Sequence, residues 1–244
     1  MKWDLLAWIL ICLGIELLLQ SWIRQQLFTV SYRLTSNAGC ALSLFAFFMF
    51  PGTLLHEGGH LAAALLLGSR ISRVSLKPQY EESEGIIELG SVVAKDVGTF
   101  RNSIISIAPT VVGGALILAI GWFVFDFPTV VAAVETGMWD QAVRCLTSPF
   151  STIWGWIGAY AIVVTSMHML PSPVDVRSAV GLIVLLVILL VVYVVSYLVQ
   201  GAVLDAIMKV TNLFLGWLGL VLAFTIILSV PVFFILKVLT HTRQ

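Results

Sequence analysis

Between Arg33 and Arg70 the chain carries one charged residue, Glu57. A helix needs about 20 mostly apolar residues to cross the hydrocarbon core of a bilayer. Stretches of that kind recur at about Trp3–Trp22, Ala38–Leu67, Ile104–Phe125, Ile153–Leu170, Ala179–Leu198 and Leu213–Leu236. Only 11% of the 244 residues are charged, whereas a soluble domain carries roughly a quarter. The sequence therefore predicts an all-α polytopic membrane protein, with about six transmembrane helices and a small β-strand segment after the second. The single domain covers residues 1–244. Its first apolar stretch lacks a clear small-residue cleavage site and reads as an anchor. With 13 basic against 13 acidic residues, nothing points to nucleic acid. Cys12, Cys40 and Cys145 are odd in number, show no CxxC spacing, and read as small apolar residues.

Inside the second apolar stretch lies His56-Glu57-Gly58-Gly59-His60, an H-E-x-x-H. Four residues make about one helical turn, so both imidazoles fall on one face, spaced to share one zinc ion. Glu57 stands beside them, where a carboxylate takes a proton from water activated at the metal. The pattern by itself is common by chance. Its apolar setting gives it weight, because ionisable groups inside a span are costly and mark function. The competing reading is three polar residues hydrogen-bonded in a helix-packing seam. Pro51-Gly52 precedes His56 by about one turn and predicts a kink or restart of the helix.

Residues 70–101 change character. Arg70, Arg73, Lys77, Lys95 and Arg101 alternate with Glu81, Glu82, Glu84, Glu88 and Asp96. The β-prone runs Arg73–Leu76 and Gly85–Ala94 flank a polar turn, which predicts a strand pair at the membrane surface. The third stretch opens with the small residues of 107–114, suited to close helix contact. Residues 126–151 read as a connection lying partly in the interface. The fourth stretch runs into Leu170-Pro171-Ser172-Pro173-Val174-Asp175, whose two prolines end a regular helix.

Six spans put both termini on one side. If that side is cytoplasmic it carries nine bases (Lys2, the five of residues 70–101, Arg177, Lys237 and Arg243) against four opposite, Arg24, Arg33, Arg144 and Lys209. The positive-inside rule then predicts cytoplasmic N- and C-termini, with the cell membrane as location.

A catalytic zinc usually takes three protein ligands plus water. Candidates for the third are Asp175, His168 and Glu16, in that order by position. Glu16 also reads as a protonated acid near the interface.

The segment His56-Glu57-Gly58-Gly59-His60-Leu61-Ala62 resembles the H-E-x-G-H segment of the site-2 protease family of intramembrane zinc metalloproteases. Leu170-Pro171-Ser172-Pro173-Val174-Asp175 resembles that family's second motif, and Ile107-Ala108-Pro109 with Gly113-Gly114 resembles the start of its intervening helix. The resemblance covers a core of about residues 38–178, leaving 1–24 and 179–238 as extra helices. It implies one Zn2+ per chain held by His56, His60 and Asp175, Glu57 as catalytic base, and membrane-protein substrates met in the bilayer. His168 stands where the family usually has Asn, and Val176-Arg177 replaces the usual glycines, as in a divergent branch. His168 then stabilises an oxyanion or contacts Asp175. The alternative is a non-proteolytic metal-binding scaffold or inactive protease homologue. A transporter is disfavoured, because the polar groups form one cluster and no repeated pair of broken helices is evident.

Overall fold

A computed structural model describes residues 3–81, 86–95, 98–169, 191 and 202–241. Among them the chain is mostly helical, as the apolar runs predict. Helix α1 (Trp3–Thr35) turns at Ser36, which has a left-handed φ of 51°, into α2 (Ala38–Leu66). Asn37 caps α2, its Oδ1 accepting from the backbone N–H of Gly39 and Cys40 at 2.9 and 3.1 Å. After α2 come strands β1 (Arg70–Ser75), β2 (Gln79–Glu81), β3 (Ile86–Glu88) and β4 (Ser91–Lys95). They are followed by α3 (Thr99–Phe123), the short α4 (Phe127–Glu135) and α5 (Trp139–Thr147), a 3-10 turn at Ser148–Ser151, and α6 (Ile153–Met169). The last helix is α7 (Ala202–His241).

Four of these helices contain a segment long and apolar enough to cross a membrane: Ala7–Thr35, Ala38–Leu66, Thr99–Phe123 and Leu215–His241. A fifth is reached only by joining Trp139–Ser151 to Ile153–Met169, which meet at 105°. The six expected spans thus become four, or five with this bent pair, among the described residues. The expected span at 179–198 lies outside them.

Strands form after α2 as expected, but as two separate two-stranded antiparallel ladders, with β2 inside the expected polar turn and the run 85–94 divided between β3 and β4. β1 pairs with β4, Arg70 opposite Lys95 and Ser75 opposite Ser91, with an irregularity between Ile71 and Arg73. β2 pairs with β3 further along the same excursion.

Three expectations change. α1 does not stop at Trp22 but continues to Thr35, so Arg24 lies within the helix rather than beyond it. α2 runs through Pro51 without a restart. α6 packs directly against this turn, since a Cβ on Gly52 would meet Val164 O at 2.6 Å. Finally, α1 and α7 run parallel. Gly219 lies against Trp8 and Ile9, Trp22 stacks on Phe233 with centroids 5.2 Å apart, and Arg33 donates to the Thr240 carbonyl. Trp3 and His241 therefore lie at opposite ends of the bundle, which corrects the expectation of both termini on one side.

The core lies where α1, α2, α6 and α7 meet. Ile23, Phe45, Met49, Val163, Val164, Met167 and Leu236 form one buried cluster. A second, around Ile117, Phe125, Phe127, Ile162, Met169, Val221 and Phe224, joins α3, α4, α6 and α7. Most other large apolar side chains face outward, as a bilayer-facing surface requires.

Candidate metal centre

α2 carries the H-E-x-x-H segment as unbroken helix, so the four-residue spacing sets His56 and His60 one turn apart. Their ring centroids lie 4.7 Å apart with planes at 89°. Each ring is oriented by a backbone carbonyl on another helix. His56 Nδ1 is 2.6 Å from His168 O on α6, and His60 Nδ1 is 2.9 Å from Ile105 O on α3. A carbonyl only accepts, so the hydrogen sits on Nδ1 in both rings. The two Nε2 atoms are then lone-pair donors, and they face each other at 3.1 Å.

Two like lone pairs at that distance favour a cation between or beside them. Two nitrogens bound to one tetrahedral zinc at about 2.0–2.1 Å are separated by roughly 3.3 Å. Metal-ligating histidines also characteristically donate their second N–H to a carbonyl or carboxylate, which holds the tautomer needed for ligation. The pair therefore fits zinc by tautomer and by spacing. Among the described residues no group of three or more His, Cys, Asp or Glu side chains gathers around one point. Asp175 lies outside the described residues.

Close packing brings these groups together, and glycine permits it. A Cβ on Gly59 would come within 3.0 Å of Pro109 Cα, so α3 passes directly beside the motif. Gly113 meets Met169 in the same way, drawing α3 onto the end of α6. These small residues serve the close helix contact expected of them. Glu57 is buried, at 8% exposure. The chain between β3 and β4 covers it: a Cβ on Gly90 would meet Glu57 Cγ at 2.8 Å and Thr53 Cγ2 at 3.1 Å. The strand excursion is thus folded over the carboxylate's side of α2.

His168 contributes through its backbone. Its carbonyl takes the His56 hydrogen, while its ring is engaged elsewhere, Nδ1 with Val164 O at 2.9 Å and Nε2 with Thr53 Oγ1 at 3.2 Å. Since Nδ1 donates to a carbonyl, Nε2 can only accept here, and it shares the single hydrogen of the Thr53 hydroxyl with Met49 O, also 3.2 Å away. This ring braces α6 against α2 instead of turning a lone pair toward the histidine pair. Glu16 is fully buried on α1 but is engaged by Gln20 Nε2 at 3.0 Å and sits beside Ser166 and Thr225, apart from the pair.

His168 was legible as a site candidate by its side chain, but the role of the backbone carbonyls of residues 166–169 was not. Here Ser166 O accepts from Gln20 Nε2 at 2.7 Å, Met167 O from Arg24 Nη2 at 2.7 Å, His168 O from His56, and Met169 O from Thr110 Oγ1 at 2.7 Å. Three helices each send a side chain to this buried terminus. The available signal was the i, i+4 spacing of Glu16, Gln20 and Arg24 in an apolar helix.

Compared with known proteins, the chain matches no family model, no characterised protein and no solved structure.

Proposed function

We propose that this protein is an intramembrane zinc metalloprotease, hydrolysing peptide bonds of membrane-spanning or membrane-adjacent substrates. One observation carries the reading: two histidines in an apolar helix whose Nδ1 hydrogens are both taken by carbonyls, with their Nε2 atoms 3.1 Å apart.

In this reading His56 and His60 hold zinc and Asp175 completes the set. Bound zinc supplies Lewis acidity, polarising the scissile carbonyl and bringing water to nucleophilic strength near neutral pH. Glu57 takes the proton of the attacking water and passes it to the leaving amine. Its burial beneath Gly90 keeps bulk water away from the carboxylate and strengthens its electrostatic effect. A helical substrate has its peptide groups bonded internally, so it must unwind to be cut. The β1–β4 ladder offers an edge along which an extended segment can pair. The strand end, with Arg70, Arg73, Lys77, Lys95 and Arg101, takes the cytoplasmic side in a cell membrane by the positive-inside rule.

The test is metal content and hydrolysis of the detergent-purified chain. The expected result is about one zinc per chain, lost in His56→Ala, weakened in Asp175→Ala and kept in Glu57→Gln. Turnover of a transmembrane test peptide should fall by about 10²–10⁴-fold in Glu57→Gln. Wild-type protein without zinc in metal-replete buffer would overturn the proposal. Zinc with no hydrolysis of any membrane peptide would favour the metal-binding scaffold.

A further inference from the structure

The polar ladder on α1 lies outside the histidine motif, yet it is bonded to the same helix end. Gln20 is 2% exposed and uses both hydrogens of Nε2, one on Glu16 Oε1 at 3.0 Å and one on Ser166 O at 2.7 Å. Its Oε1 accepts from Arg24 Nη2 at 3.3 Å, and the same guanidinium nitrogen reaches Met167 O at 2.7 Å. The next carbonyl along, His168 O, takes the hydrogen of His56. Three consecutive carbonyls are thus held, two by α1 and one by the motif histidine.

We propose that Gln20 and Arg24 are positioning residues of the metal centre, fixing the last turn of α6 so that His168 O holds His56 in the Nε2-ligating tautomer. The inference rests on the zinc reading above, though the ring orientation it concerns exists without metal. The physical basis is direct. A side chain that donates to a buried carbonyl ties the turn carrying it to the donor's helix, and in an apolar surrounding such a bond is costly to lose. If the turn that carries His168 O shifts by even an ångström, the 2.6 Å bond to His56 is lost and the ring is free to place its hydrogen on either nitrogen. Arg24 lies inside a membrane-length segment, where an arginine serving no purpose is expensive.

The experiment uses full-length protein in detergent with Gln20→Leu, Arg24→Met, the double variant and the conservative Arg24→Lys. Two quantities are read. Zinc affinity is measured by chelator competition, and the His56 tautomer by 15N spectra of histidine-labelled, metal-free protein, with His56→Gln assigning the signal. The expected result is an Nδ1–H tautomer at His56 in the wild type and a mixture in the double variant. Zinc affinity should fall about 10-fold in the double variant, the lower end of what outer-shell changes produce, and Arg24→Lys should restore most of the Arg24→Met loss. If the double variant does not fold, the single variants and the lysine rescue carry the same comparison. A tautomer and zinc affinity that stay at wild-type values, even with a lowered unfolding midpoint, would overturn the proposal and leave the ladder a purely structural brace. Wild-type protein that binds no zinc would sink the metal reading, while the tautomer still decides the positioning role.

Discussion

In α1, Glu16, Gln20 and Arg24 follow one another at one-turn intervals, and in α2, His56 and His60 do the same. Both sets sit in apolar sequence, and both bond to the end of α6. Gln20 and Arg24 on α1 spend their hydrogen bonds on each other, on Glu16 Oε1 and on carbonyls of α6. The α2 histidines give up one nitrogen each to a carbonyl and set the other against its partner's at 3.1 Å. Equal spacing therefore yields a brace in one helix and a candidate ligand pair in the other. What separates them is chemistry: imidazole has two nitrogens that can do different work, whereas an amide or guanidinium in the same place can only knit the helices together.

The largest effect that would break this comparison is on the ligand side. His60→Ala should remove zinc binding, with affinity falling more than about 10³-fold, because a single remaining histidine cannot replace the pair. Metal analysis of purified protein checks it, and retained stoichiometric zinc would return α2 to the status of a packing helix. Next in size is Gly52→Val. Its Cβ would collide with His168 Nδ1 and fall 2.6 Å from Val164 O, so α2 and α6 must separate. Overpacking of this kind costs about 1–3 kcal/mol or more, seen as a lowered unfolding midpoint. A neutral result would mean that α2 and α6 do not meet at Gly52.

A smaller effect is expected of Thr53→Val, which removes the donor to His168 Nε2 and should cost about 1 kcal/mol in stability while leaving zinc in place. Loss of zinc in this variant would show His168 to be more than a brace. The smallest effect is on the α1 side: Glu16→Gln should leave zinc stoichiometry unchanged, since Gln20 and neighbouring hydroxyls, not the histidine pair, surround this carboxyl. Zinc lost in Glu16→Gln would make α1 a ligand-bearing helix and erase the distinction.

Some of this was legible in the chain and some was not. The run between Arg33 and Arg70, with Glu57 as its one charge, predicted α2 as a membrane-length helix, and the H-E-x-x-H spacing predicted two imidazoles on one face. The small residues near Pro109 predicted close contact, realised at Gly59 and Gly113. The first helix was read too short, because Arg24 and Gln25-Gln26 look like a span's end. Arg24 escapes that rule by directing Nη2 to Met167 O and Gln20. The same-side placement of the termini rested on an even number of crossings, and the parallel contact of α1 with α7 does not accommodate it.

Local pattern alone determined that this is a helical protein suited to a membrane, with strands after its second helix and two histidines one turn apart. Those features depend on residues near one another, through helical period and the cost of exposing polar backbone to lipid. Tertiary structure alone decided which nitrogen of each histidine faces its partner, that the backbone of His168 matters there more directly than its ring, and that Arg24 serves the end of α6. The acceptors for His56 and His60 lie 112 and 45 residues away along the chain. A carbonyl has no residue identity to read from a sequence, so only the packing of α3 and α6 against α2 could place it.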